Sequence, residues 1–116
     1  MVDLGCGDGS VLVNIATTYE NVQCYGVELD ETLFEKAQLK CADIPNITLF
    51  NYNIPEFDIA VDVVFIFLSP SHIMQLKQFI MDLKDSTIIS YTFKVPYLVP
   101  TEILNVENLN IYIYKV

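Results

Sequence analysis

Short apolar runs alternate with amphipathic stretches along the chain, which predicts strand and helix in turn. Met1 to Leu4 reads as a strand stub, and Val11 to Tyr19 as an apolar helix capped by Ser10. Gln23 to Glu28 predicts a second strand, and Glu31 to Cys41 a helix capped by Asp30, with Leu33, Phe34, Ala37 and Cys41 on one face. Ile47 to Phe50 is a short third strand. The unbroken β-branched and aromatic run of Val61 to Leu68 predicts a parallel strand buried on both faces. Ser69-Pro70 opens a helix whose packing stripe is Ile73, Leu76, Ile80 and Leu83, and Thr87 to Phe93 is a fifth strand. Ile103 to Val106 and Leu109 to Lys115 flank Glu107-Asn108, a turn pair that predicts an antiparallel hairpin. The sum is α/β: a doubly wound, mostly parallel sheet with an antiparallel C-terminal hairpin, in a single domain over residues 1–116.

Composition narrows the functions open to such a fold. The chain of 116 residues is 53% hydrophobic, enough to build a core rather than a disordered coil. Its net charge is −9, and its six basic residues are all lysines. A nucleic-acid binder would present a basic stripe and use arginine forks on phosphate, so no nucleic-acid partner is expected. An acidic surface tilts instead toward cationic ligands and lysine-bearing proteins. Cys6, Cys24 and Cys41 lie too far apart for a metal knuckle and are odd in number, so no metal site is expected and a reducing, cytoplasmic setting is. No apolar stretch approaches the ~17–25 residues that a membrane-spanning helix needs, so no membrane insertion is expected.

The candidate chemistry lies in Asp3-Leu4-Gly5-Cys6-Gly7-Asp8-Gly9, between the first strand and first helix, with Glu28 ending the second strand. Glycines allow positive φ and let a ligand lie on bare backbone, and the helix start supplies N–H groups. Glu28 is placed to accept two ribose hydroxyls. A dinucleotide site would show G-x-G-x-x-G, whereas here the spacing is G-x-G-x-G behind an acid. Asp3 would repel a pyrophosphate and suits a cation. S-adenosylmethionine combines ribose, adenine, an ammonium and a sulfonium.

These residues, with Gly26-Val27-Glu28-Leu29-Asp30 and the terminal hairpin, resemble the class I, seven-strand, Rossmann-like S-adenosylmethionine-dependent methyltransferases. The resemblance implies that Asp3, Gly5, Cys6, Gly7 and Gly9 cradle the methionine half, that Glu28 with Leu29 holds the ribose side, and that Asn53 meets the adenine amino group, with Asn51 as the alternative. Leu68, at the end of the fourth strand, completes the cofactor-contacting set. Val64-Phe65-Ile66-Phe67-Leu68-Ser69-Pro70, Gln75-Leu76-Lys77 and Ile111-Tyr112-Ile113-Tyr114 are most similar to small archaeal and ATP synthase c-subunit protein-lysine methyltransferases. A protein lysine is then the expected substrate. Methylation of a small molecule or of RNA, and a non-catalytic binding module, are the alternatives. The family also implies a helix ahead of the first strand. The chain thus reads as N-terminally truncated relative to that family, either because an upstream piece is missing or because the protein is a stripped-down form, with self-association expected through that side of the sheet.

Individual side chains add little chemistry of their own. Cys6 reads as a small buried thiol, Tyr91, Tyr112 and Tyr114 as packing residues, and no catalytic residue is assigned, His72 included.

Overall fold

The computed structural model describes residues 1–116, which divide into two compact units, Met1–Ile59 and Ala60–Val116. In the first, β1 (Val2–Leu4), β2 (Cys24–Val27) and β3 (Ile47–Phe50) run parallel, β2 pairing with both neighbours. Asp3 stands opposite Gly26, and Val27 opposite Phe50. The crossovers are α1 (Ser10–Thr18) and α2 (Glu31–Cys41). Parallel strands need such long connections, and an apolar helix face closes each one over the strands. Cys6, Leu12, Ala16 and Cys24 form the resulting core, flanked by Ile15, Ile47 and Leu49.

In the second unit, β4 (Val63–Ile66) lies parallel to β5 (Thr87–Tyr91). The hairpin of β6 (Glu102–Val106) and β7 (Leu109–Lys115) joins antiparallel through β7. Its turn residues Glu107 and Asn108 both have positive φ, at 52° and 65°, the geometry that matches strand twist in two-residue hairpins. Tyr112 and Tyr114 bury on one face of β7, and the Tyr114 hydroxyl accepts the Val95 N–H at 2.8 Å. No helix is long and apolar enough to cross a membrane.

Four local expectations are corrected. Ser10 does not cap α1: it is the first helical residue, Gly9 takes the cap position, and Asp8 accepts both the Ser10 N–H and hydroxyl. Asp30 does cap α2, accepting the Leu33 N–H at 2.9 Å, yet Leu33 itself is exposed and the buried stripe narrows to Ala37 and Cys41. The Val61 to Leu68 run forms strand only over Val63–Ile66 and alternates in burial, leaving Phe67 56% exposed. The helix opened by Ser69, which accepts the His72 N–H, breaks at Leu76 into α3 (Pro70–Gln75) and α4 (Lys77–Met81).

Candidate functional site

The first unit gathers most of the predicted residues at the carboxyl ends of β1 and β2, where ligands bind in open α/β sheets. Gly5 and Cys6 both donate their N–H to the Val27 carbonyl, at 2.8 and 3.0 Å, tying the loop to the end of β2. Glu28 fastens the next residue: Oε1 accepts the Gly7 N–H at 2.8 Å, while Oε2 accepts the Asp30 N–H at 3.0 Å. A carboxylate offers about four acceptor positions, so about two remain for further donors.

The glycines divide by role. Gly7 has φ of +58°, and a Cβ there would meet nothing within 4 Å, so its backbone borders open space. Gly9 has φ of +85° and faces α2, where a Cβ would lie 3.1 Å from Cys41 Sγ and 3.4 Å from the Ala37 Cβ. Close approach of loop to helix therefore requires Gly9, whereas an incoming ligand can lie over Gly7.

The loop's own N–H groups are mostly committed, those of Gly5, Cys6, Gly7, Gly9 and Ser10 to Val27, Glu28, Cys6 and Asp8. Those of Val11 and Leu12 in the first turn of α1 keep no protein partner, as expected for a helix start. A pyrophosphate, which depends on such donors, would find few in the loop and two carboxylates instead.

Asp3 is buried at 3% exposure on β1, and burial, followed by the Glu28 charge, pushes its carboxyl up to about 7. An adjacent cation would favour its charged form, so the pair is electrostatically prepared for a positive ligand. Cys6 is buried too, and burial followed by the charges of Asp3 and Glu28 raises its thiol to about 12, which removes it as a nucleophile.

Around Glu28 the remaining residues sort by what their amides and surfaces do. The Asn51 side-chain nitrogen donates to the carbonyls of Glu28 and Leu29, at 2.9 and 3.1 Å, so it serves as a clasp on the end of β2. Asn53 opens the 3-10 turn Ile54–Glu56, where its backbone N–H reaches Glu56 Oε2 at 2.9 Å and the residue stays exposed. Leu29 is 59% exposed, an apolar surface next to the acid. Leu68 belongs to the second unit, just past β4, and is buried.

Sequence reasoning missed Asp8 as a structural member of the loop. Its carboxylate pairs with Lys40 of α2 at 2.5 Å, and that bond, with those from Ser10, holds it at about 2. The signal was present as an Asp two residues ahead of a Ser, a side-chain-to-backbone turn pattern.

No curated protein matches the chain in sequence. Among solved structures, an RNA methyltransferase from Salinibacter ruber in complex with S-adenosyl-L-homocysteine superposes at TM-score 0.86 and 24% identity. It is covered over 97% of this chain and 77% of that one. A predicted N6-adenine-specific DNA methylase from Listeria monocytogenes gives 0.79 at 13% identity over 97% of this chain, which spans 46% of it. The precorrin-6y C5,15-methyltransferase of Geobacter metallireducens gives 0.74 at 18% identity, covering 100% of this chain and 79% of that one. These likenesses establish a Rossmann-like class I methyltransferase fold. The ANTKMT methyltransferase domain model matches residues 3–102, and the chain belongs to that family.

Proposed function

We propose that this chain takes up S-adenosylmethionine at the Gly5–Gly9 loop and directs its methyl group to lysine side chains of a protein. The observation that carries this reading is the Glu28 carboxylate, fixed by the Gly7 and Asp30 N–H groups with acceptor positions left over, beside the buried Asp3. Two vicinal ribose hydroxyls match the spare acceptors, and an ammonium with a sulfonium matches the paired carboxylates.

When bound, the cofactor supplies an electrophilic methyl group on a positive sulfur. The chain's own residues do the rest. Glu28 orients the ribose, exposed Leu29 offers an apolar surface to the adenine, and the adenine amino group is met by the Asn53 carboxamide, with Asn51, whose nitrogen is committed but whose Oδ1 is free to accept, as the alternative. Transfer is an in-line displacement, so alignment and exclusion of water matter more than a dedicated base. The acceptor lysine must be neutral, and desolvation lowers its pKa in that direction.

The lysine substrate is supported by the arginine-free surface of charge −9 and by the resemblance of Val64 to Pro70, Gln75 to Lys77 and Ile111 to Tyr114 to protein-lysine methyltransferases. RNA methylation is the second reading, favoured by the likeness to the Salinibacter RNA methyltransferase and opposed by the same charge. A cytoplasmic setting, supported by three free cysteines, and self-association through the N-terminal side of the sheet belong to the same proposal. Sedimentation velocity tests the latter.

Calorimetry with S-adenosylhomocysteine tests the cofactor. Uptake is expected, and Glu28→Gln should weaken it about 10- to 100-fold, as loss of charge-assisted hydrogen bonds does. Absence of uptake by folded protein ends the reading. Labelled cofactor incubated with a lysate then separates the substrates: label on lysine after acid hydrolysis supports the proposal, and label on RNA supports the second reading.

A further inference from the structure

The second unit carries an aromatic cluster that the cofactor reading does not use. In the parallel register of β4 and β5, Ile66 stands opposite Ser90, so Phe67 and Tyr91 emerge side by side at the carboxyl ends. Strand alternation puts both on the face opposite the buried Val64, Ile66, Ile88 and Ser90. Their rings meet at right angles, with centroids 5.1 Å apart and an interplanar angle of 86°. Phe93 adds a third ring, 6.3 Å from Phe67 and nearly parallel to it at 17°. Phe67 is 56% exposed, and Tyr91 and Phe93 are half-buried.

A strained turn holds this arrangement. The Phe93 N–H donates to the Tyr91 carbonyl at 2.9 Å across Thr92, whose φ is +73°. This is a three-residue γ-turn of the positive-φ kind, rare even for unbranched residues, and a β-branched residue there is an outlier. Ser90 Oγ donates to the Phe93 carbonyl at 2.5 Å and the Thr92 N–H to the Asn110 carbonyl at 2.8 Å, fixing both sides. An extended strand would carry Phe93 about 6–7 Å beyond Tyr91, whereas the turn keeps it against Phe67. Strain of this kind collects where a geometry is needed for function.

Two aromatic walls at a right angle, open to solvent at the carboxyl ends of parallel strands, suit an alkylammonium, the form in which lysine arrives and in which its methylated product leaves: the stem packs on a ring and the charge meets the ring faces. A nucleobase would also stack there, but would bring its phosphates to a chain of charge −9 without arginine. We infer that Phe67, Tyr91 and Phe93 receive the lysine side chain of the protein substrate and set the preference for that amine. The inference rests on the lysine-methyltransferase reading and deepens it.

The test is an NMR titration of the full chain, following the aromatic carbon-bound protons. The probes are Nα-acetyl-trimethyllysine amide and its neutral isostere with a tert-butyl end. The charged probe should shift the resonances of the three rings, the isostere should bind several-fold more weakly, and Phe67→Leu should weaken the charged probe about 2- to 5-fold. Equal binding of the isostere, silent rings up to the solubility limit, or a response to a short uridine oligonucleotide in place of the amine would each overturn the inference. Calorimetry with S-adenosylhomocysteine on the same samples keeps the two readings apart. Cofactor uptake with silent rings sinks only the aromatic site, whereas absence of uptake ends the methyltransferase reading and this inference with it, any ring shifts then marking an alkylammonium site alone.

Discussion

Each unit contains a turn of left-handed backbone at the end of a parallel strand, and the two are built by opposite means. After β1 the positive φ angles of +79°, +58° and +85° fall on Gly5, Gly7 and Gly9. After β5 the φ of +73° falls on Thr92. Glycine enters that region with almost no steric penalty, while a threonine held there stores strain of about 1–3 kcal/mol. The glycine turn presents bare backbone flanked by two carboxylates, Asp3 and Glu28, to which the proposal assigns recognition. The threonine turn presents side chains, and its strain goes into holding two rings against a third.

The comparison breaks most sharply at Gly9. Gly9→Ala should destabilise the protein by about 2–4 kcal/mol, combining left-handed strain with overpacking against Cys41 Sγ at 3.1 Å. Urea unfolding reads the loss. In a Cys41→Ala background the overpacking part should shrink and the backbone part should persist, so the double-mutant cycle separates the two. A neutral Gly9→Ala would mean that the loop does not depend on glycine.

The carboxylates beside that loop make the next largest prediction. Asp3 sits at about 7 in the folded chain against the ordinary 3.8, so between these values the native state holds more protons than the unfolded one. Its stabilising contribution is complete below pH 3.8 and is lost as the pH rises through 7. From pH 5 to pH 8 the expected loss is on the order of 2 kcal/mol, measured by urea unfolding across that range. Asp3→Asn should flatten this dependence. A cationic ligand should restore the charged form, so binding near pH 7 should release a proton, detectable by calorimetry in buffers of different ionisation enthalpy. Stability that rises with pH over this range in the wild type and not in Asp3→Asn would reverse the electrostatic account.

What could be read from residues follows from the same contrast. Gly5, Gly7 and Gly9, the Asp30 cap and the Glu107-Asn108 hairpin each use a residue type whose local preference agrees with its place, and all were legible. Ser10 was misread because Asp8, two residues earlier, takes over its hydrogen bonds, a competition between neighbours that pattern does not rank. Glycine spacing likewise hid the division of labour between Gly7 and Gly9, which is decided by where α2 lies. The burial of Phe67 was overestimated because an unbroken apolar run looks the same whether one or both faces are covered. Nothing in Tyr91-Thr92-Phe93 signals a turn, since threonine favours strand. The γ-turn is imposed by Ser90 and Asn110 from outside the three residues.

The smallest expected effect therefore carries the most information about the second turn. Thr92→Gly relieves the strained φ and adds freedom to the unfolded chain, and the balance should stabilise the protein by about 1 kcal/mol, visible as a rise of a few degrees in Tm. If the strain exists to hold the rings, the same variant should lose affinity for the trimethylated lysine probe while gaining stability, because Phe93 is freer to leave Phe67. Thr92→Asn should recover much of the stability with less loss of binding, since asparagine tolerates left-handed backbone and is stiffer than glycine. A Thr92→Gly protein that is less stable would mean that contacts of the threonine side chain outweigh the backbone strain. One that is more stable and binds the probe unchanged would mean that the rings keep their places without the turn.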